Sequence, residues 1–246
     1  MVSGKKRARS AALEVQGIGV PIEVRRHAGT RQLTLRVSKT RRAVVVTVPP
    51  GCRLEEAGRF LRSHLDWVRD RLGRVPAPVP LAHGERIPLR GRLHEIRFLG
   101  PVRGAPVVRP VASVAGGVPR LEVAGQPEHA PRRLKDWLVG EANKDLGARV
   151  SWHAARLGVR VRRISLRDQT TRWGSCSASG LLSFSWRLIF APPFVLDYVA
   201  AHEVAHLLEM NHGPRFWKLV SAAVPKLEDA RAWLRQEGPN VHRYAC

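Results

Sequence analysis

The residues best suited to chemistry in this chain are two histidines and a glutamate in the run H-E-V-A-H, which begins at His202. On a helix, residues four apart lie on nearly the same face, so the imidazoles of His202 and His206 can both reach one zinc ion. Glu203 lies beside them and is free to hold a water molecule instead of the metal. The run therefore predicts a metal-dependent hydrolytic site with Glu203 as its base.

The helix that carries this run is predicted to be buried. The residues that immediately surround the two histidines and the glutamate are apolar, and a buried charge without a partner costs several kcal/mol. A bound metal ion would account for three polar side chains in such a helix. The apolar neighbours are Val199, Ala200, Ala201, Val204, Ala205, Leu207 and Leu208.

His212 is the predicted third ligand, at a spacing that completes three-histidine zinc sites. It comes six residues after the second histidine, too far round the helix to be the next helical ligand. The helix is therefore expected to end after Met210 and the chain to turn at Asn211. Asparagine suits that turn because it tolerates the left-handed conformation that ends helices.

Two known zinc-peptidase patterns, those of the metzincins and of thermolysin, fit the chain less well than the three-histidine site. The spacing from His202 to His212 equals that of the metzincins, but Glu209 stands where their glycine would be. Their downstream methionine turn is excluded as well, since the last methionine of the chain precedes the third histidine. A thermolysin-like site would need a distal glutamate ligand, for which Glu228 is a better candidate than Glu237.

These residue types predict a definite mechanism. Three neutral imidazoles leave the zinc ion with its full charge and an open position for water, whose pKa falls towards about 7. Glu203 takes the proton of that water and later passes it to the leaving amine. A further donor is expected to stabilise the oxyanion, a contribution of roughly 3 kcal/mol in comparable sites. Tyr198, Arg172 and Arg215 are all candidates, and the sequence does not choose among them.

A second informative stretch precedes the histidines. It reads R-D-Q-T-T-R-W-G-S-C from Arg167, followed by L-L-S-F-S-W-R-L from Leu181. The turn residues at 177–180 predict a hairpin that leads to the metal helix. In zinc peptidases a strand beside that helix pairs with an extended substrate, and either hairpin strand is a candidate. Cys176 raises the rival hypothesis of a cysteine nucleophile, but a free cysteine is more often a small buried hydrophobe.

The order of these elements, ending in H-E-V-A-H-L-L-E-M-N-H-G-P-R-F-W, resembles the YgjP-like zinc metallopeptidases, relatives of the SprT and WLM-type proteases. The resemblance extends from Val20 to Trp233, and its specific part runs from Arg167 to Trp217. It implies a zinc-dependent peptidase that binds one Zn²⁺ ion. The residues it implies for that ion are the ligands His202, His206 and His212, with Glu203 as the catalytic base.

The same resemblance implies that residues 172–176 lie against the site, although it assigns no individual roles there. The candidate substrate or oxyanion contacts in this stretch are Arg172, Trp173, Gly174 and Ser175.

The remaining sequence predicts an α+β fold. Residues 1–19 are expected to form a basic disordered tail, and residues 20–75 an antiparallel β-meander followed by a helix. Residues 76–126 are a proline-rich linker with a β-rich segment. Residues 127–246 are the predicted zincin-like metallopeptidase domain, in which the metal helix packs beside a small antiparallel sheet. That domain begins with a long helix, predicted over 131–157 and ended by Gly158.

Composition adds limits on partners and location. The net charge of +22 favours polyanions, so a nucleic-acid-associated protein is the alternative function: a DNA-dependent protease, or a non-catalytic zinc-containing binding protein. Three widely spaced cysteines indicate a reducing cytoplasm, and the basic N-terminus lacks the apolar segment of a secretory signal. No apolar run is long enough to span a membrane. The expected substrates are proteins or peptides.

Overall fold

The computed structural model describes residues 13–38, 42–113 and 116–245. The chain divides into two compact units, one ending at Ala77 and one beginning at Pro78. Most of the predicted basic tail, like the last residue of the chain, lies outside the described residues. The sequence predicted residues 76–126 as a linker and β-rich segment, and of these, residues 78–126 lie in the same unit as residues 127–246.

The first unit is a three-stranded sheet with two helices, and its strand order differs from a meander. The third strand lies in the centre, parallel to the first and antiparallel to the second. The reason is the run A-V-V-V-T-V, which is buried at nearly every position and so must be covered on both faces. The elements are β1 (Ile22–Arg26), β2 (Thr34–Ser38), β3 (Ala43–Val48), α1 (Leu54–Arg62) and α2 (Leu65–Gly73).

The single helix predicted within residues 20–75 is two helices, α1 and α2. Ser63 and His64 both direct side-chain polar atoms to the carbonyl oxygen of Phe60, at 2.9 Å from Ser63 Oγ and 2.8 Å from His64 Nδ1. Side chains that bond to nearby backbone groups compete with the regular helical ladder, which breaks here.

The second unit contains a four-stranded sheet, a three-stranded sheet and a two-stranded pair, joined by helices. Two 3-10 helices cover Pro127–His129 and Trp186–Phe190. The other elements are β4 (Val79–Pro80), β5 (Arg86–Leu89), β6 (Arg92–Gly100), β7 (Val108–Val111), β8 (Arg120–Ala124), α3 (Ala130–Leu157), β9 (Arg163–Arg167), β10 (Gly174–Cys176), β11 (Leu181–Ser185), α4 (Pro193–Ala205), α5 (Pro214–Ala223), α6 (Leu227–Gln236), α7 (Gly238–Val241) and β12 (Tyr244–Ala245).

The long helix α3 joins the two hydrophobic cores of this unit. Leu134 and Leu138 are fully buried in the core that contains β5, β6 and β8. Leu146 and Val150 are buried in the core that contains β11 and α4. The helix ends as predicted at Gly158, whose φ of 64° is the left-handed conformation that glycine adopts most easily.

Two contacts hold α4 in place. Asp197 accepts hydrogen bonds from Arg149 Nε and His153 Nε2 of α3, each at 2.6 Å. At the start of α4, Gly91 in the β5–β6 turn lies so close to Pro192 that a Cβ atom would stand 3.0 Å from the Pro192 Cα. The segment before the long helix thus supports the helix that carries the H-E-V-A-H run.

The predicted hairpin is present, with β10 antiparallel to β11. Strand β9 joins the other side of β11 in parallel, so β10 is an edge strand of its sheet among the described residues. The predicted α+β class is confirmed. No described helix is both long enough and apolar enough to cross a membrane.

Candidate metal centre

Three histidine side chains converge at the C-terminal end of α4. His202 comes from its last turn, His206 directly follows it, and His212 comes from the loop before α5. Each offers a ring nitrogen within 4.8 Å of the other two, and among the described residues they form the cluster suited to a metal ion. His212 Nε2 lies 3.1 Å from His202 Nε2. Two nitrogens bound tetrahedrally at about 2.0–2.1 Å from one zinc ion would stand roughly 3.3 Å apart, so the geometry suits shared ligation.

The turn that delivers His212 differs from the prediction. The helix ends at Ala205 rather than after Met210, and the backbone N–H groups of the third and fourth residues beyond it both bond to the Ala205 carbonyl, each at 3.0 Å. Asn211 is not left-handed, since the non-glycine residues with positive φ in the described chain are Arg42 and Arg90. Ending the helix at Ala205 leaves six residues, 206–211, in which the chain folds back before His212.

His206 is oriented by a partner that sequence reasoning missed. Its Nδ1 lies 3.0 Å from the backbone oxygen of Glu209, and because a carbonyl only accepts, Nδ1 must carry the proton. That arrangement leaves Nε2 free for a metal ion. Phe216 stacks on the same ring with a centroid distance of 4.5 Å. No sequence signal identifies a backbone carbonyl as a partner.

Burial favours the neutral imidazole at two of the three histidines, His202 and His206. Burial, together with the nearby His206 and His212, lowers the pKa of His202 to about 4. Burial also lowers the pKa of His206. A neutral ring has the free lone pair that metal binding requires.

Glu203, the neighbour of His202 in α4, is buried, with 5% of its surface exposed. Its Oε2 atom is buried and has no hydrogen-bond partner among the described residues. Burial raises the pKa of Glu203 to about 7, although the positive charge of Arg172 acts in the opposite direction. A buried carboxylate oxygen without a protein partner is available to a water molecule or a substrate group.

Gly174, at the start of β10, lies directly against this carboxylate. A Cβ atom there would stand 2.5 Å from Glu203 Oε1 and 2.6 Å from its Cγ. Such distances are far below van der Waals contact, so only glycine lets the strand approach so closely. The absence of a side chain at Gly174 is the physical reason that this stretch can lie against Glu203.

The neighbouring residues of the stretch occupy different positions. Arg172 is exposed, and its Nε lies 3.2 Å from Gln169 Oε1, while its charge still acts on Glu203. Trp173 is half-buried and stacks on His242 at a centroid distance of 5.2 Å. Ser175 pairs with β11 in the middle of the strand, where strand alternation turns its side chain to the opposite face from its neighbours.

The other predicted donors are also distinguished by position. Tyr198 is buried, its ring centroid is 5.8 Å from that of His202, and burial raises its pKa. The Arg215 side chain is 89% exposed and lies 4.0 Å from Glu209 Oε1. The structure therefore brings Tyr198 to the histidines and leaves Arg215 on the surface.

The alternative ligands and the alternative nucleophile lie outside the cluster. Glu228 is 71% exposed and bonds to Arg231, while Glu237 bonds to Asn240. Cys176 is half-buried, and burial raises the pKa of its thiol, with the Glu203 charge adding to the effect. A raised pKa is the opposite of what activates a cysteine nucleophile.

Similarity to known proteins identifies the family. A model of the YgjP-like metallopeptidase domain matches residues 31–237. The chain belongs to the YgjP-like family. A metallopeptidase domain therefore covers most of this protein, and the predicted resemblance is confirmed.

Other similarities are slight. The crystal structure of the metallopeptidase zymogen of Pyrococcus abyssi abylysin matches 37% of this chain and 95% of its own chain. The sequence identity is 18% and the TM-score 0.33, too low to bear on the site. No curated protein matches the chain significantly.

Because β10 approaches Glu203 closely at Gly174, a side chain added at this position should displace the carboxylate or the strand. We expect Gly174→Ala to lower kcat/KM for peptide hydrolysis about 100-fold without changing the metal content, because displacing a reacting group by about 1 Å can cost that much. Steady-state kinetics with metal analysis measure both. Gly147→Ala on α3 is the matched control, since a Cβ there meets nothing within 4 Å. Equal activity in the two variants would contradict the prediction.

Proposed function

We propose that this YgjP-like protein is a zinc-dependent peptidase in which His202, His206 and His212 hold one zinc ion and Glu203 is the general base. The observation that carries the proposal is the convergence of three imidazoles beside a buried carboxylate. Three neutral nitrogen donors suit zinc better than the hard cations, which prefer oxygen ligands. The orientation of His206 by the Glu209 carbonyl is the kind of outer support that metal-binding histidines usually have.

In this proposal the zinc ion and Glu203 have separate chemical roles. A zinc ion, when bound, supplies Lewis acidity and lowers the pKa of its water towards about 7. Glu203 accepts the proton of the attacking water and returns it to the amine that leaves. Its buried position limits exchange of that proton with bulk solvent.

The substrate is proposed to be a protein or peptide held in extended form along β10. The bond from Ser185 N to Trp173 O, at 2.8 Å, and that from Ser177 N to Leu181 O, at 3.0 Å, set the alternation of the hairpin ladder. In an antiparallel ladder that alternation turns the backbone groups of Gly174 and Cys176 to the free edge. A peptide added there would form main-chain hydrogen bonds, and its backbone would pass close to Glu203.

The oxyanion donor is proposed to be Tyr198 or Arg172. Tyr198 lies next to His202, whereas Arg172 is exposed and acts on Glu203 through its charge. A single donor of this kind is worth roughly 3 kcal/mol. The nucleic-acid role suggested by the net charge of +22 gains no support from the family match, which names a peptidase.

Metal removal and replacement test the proposal. The protein as purified should contain about one zinc ion per chain and hydrolyse members of a mixed peptide library. Chelation should abolish hydrolysis, and adding Zn²⁺ should restore it, whereas Mg²⁺ should not, because magnesium prefers oxygen ligands. Hydrolysis that survives complete removal of the metal would show the proposal to be wrong.

A further inference from the structure

The residue that leads into β10 packs against the end of the chain. Trp173 stacks on His242, with an interplanar angle of 30°. Gly238 also faces the indole, and a Cβ atom there would stand 3.1 Å from Trp173 Cζ2. Residues 238–245 are here called the C-terminal segment. This segment therefore packs against Trp173, the residue immediately before Gly174.

The C-terminal segment is itself held firmly. Arg187, which is largely buried, donates from Nη1 to the Tyr244 backbone oxygen at 2.6 Å and from Nε to Asp168 Oδ1 at 2.7 Å. Phe190 packs on the Tyr244 ring with a centroid distance of 5.0 Å. The segment also forms β12, which pairs with β4. The C-terminal segment is therefore a fixed surface against which Trp173 packs.

The contact between the rings is one of neutral aromatic faces. Burial lowers the pKa of His242 to about 4, and the nearby Arg187 acts in the same direction. At neutral pH the imidazole is thus uncharged, and its effect on Trp173 comes from its flat face. Offset or stacked aromatic pairs contribute about 0.5–1.5 kcal/mol beyond the area that they bury.

We propose that His242 is a positioning residue for peptide substrates, which acts by holding Trp173 so that the free edge of β10 stays aligned with Glu203. The proposal rests on the peptidase function proposed above. Trp173 is well placed for this role because its backbone oxygen accepts the hydrogen bond from Ser185 and its neighbour Gly174 touches Glu203. When the stack is lost, β10 moves relative to the carboxylate, and a peptide that pairs along the strand is bound out of line.

The kinetic test compares substrates of two lengths. Peptides of about eight residues can pair along β10, whereas blocked dipeptides cannot. We expect His242→Ala to raise KM for the long peptide about tenfold and to change the kinetics of the dipeptide less than twofold. His242→Phe, which keeps a flat ring, should restore the long-peptide KM to within about twofold of the wild type. Metal content should be the same in all three proteins.

A matched control is His83→Ala, which removes another histidine of the same unit that packs edge-on against Phe98 at 5.9 Å. It should leave the kinetics with both substrates unchanged. An unchanged KM in His242→Ala, an equal loss with both substrates, or no recovery in His242→Phe would each overturn the positioning role. If His242→Ala does not fold, His242→Leu takes its place, since leucine fills the space without an aromatic face.

A second measurement separates this proposal from the proposed function. In the zinc-loaded protein, hydrogen exchange of the Ser185 amide reports its bond to the Trp173 oxygen, and the Ser177 amide reports the far end of the hairpin. We expect faster exchange of Ser185 alone in His242→Ala and wild-type exchange in His242→Phe. Equal exchange in every variant would overturn the positioning role. A wild-type protein that hydrolyses no peptide yet shows this pattern would instead disprove the peptidase function.

Discussion

Glu203→Gln will lower kcat for peptide hydrolysis by about 10²–10⁴-fold, the usual contribution of a general base, while the zinc content stays at one ion per chain. Glutamine has nearly the shape of glutamate, so the close contact with Gly174 is preserved. Only the ability to take a proton from water is lost. Metal analysis and steady-state kinetics on the same preparation measure both quantities.

The control for this substitution is Glu209→Gln, six residues further along the chain. The Glu209 backbone oxygen bonds to His206, whereas the ion pair of its side chain within the described part of the chain is a 4.0 Å contact with Arg215. Glu209→Gln should therefore keep kcat within about twofold of the wild type, since exposed ion pairs contribute little. If Glu203→Gln retains full activity with zinc bound, another group is the base and the assigned mechanism is wrong.

His212→Ala will lower the affinity for zinc by more than about 100-fold and abolish hydrolysis at ordinary zinc concentrations. Even the outer-shell partners of metal ligands are worth about 10–100-fold in metal affinity, and a direct ligand should exceed that. The reason is geometric: His212 supplies one of only three ring nitrogens in the cluster, with its Nε2 3.1 Å from that of His202. Competition with a chromophoric zinc chelator measures the change.

Glu228→Ala is the discriminating control for the third ligand, because a distal glutamate is what a thermolysin-like site would use. Glu228 is 71% exposed and paired with Arg231, so its removal should leave zinc affinity unchanged. The opposite pattern, with zinc lost in Glu228→Ala and kept in His212→Ala, would transfer the third ligand to the glutamate and refute the three-histidine site.

Several features of the molecule follow from local rules and were predictable. The pair His202 and His206 depends only on the helical repeat, which brings residues four apart to one face. The end of α3 at Gly158 depends on the ease with which glycine adopts positive φ, and the β10–β11 hairpin on turn residues between two short strands. Family membership was likewise predictable from the motifs between Arg167 and Trp217.

Other features arise from contacts between distant parts of the chain. The central position of β3, with a parallel neighbour, is decided by which strand must be covered on both faces. The break between α1 and α2 depends on side chains that compete for the Phe60 carbonyl. Residues 78–126 join the peptidase unit because the faces of their strands and of α3 bury one another.

At the candidate site, the sequence alone predicted the chemical types: three imidazoles, one carboxylate and the stretch that lies against them. Only the tertiary structure decided how they meet. The early end of α4 at Ala205 turns His212 back, the Glu209 carbonyl orients His206, and Gly174 contacts Glu203 without a side chain. Spacing along a chain specifies which residues share a helical face, whereas the approach of a backbone carbonyl or a glycine Cα depends on packing between elements far apart in sequence.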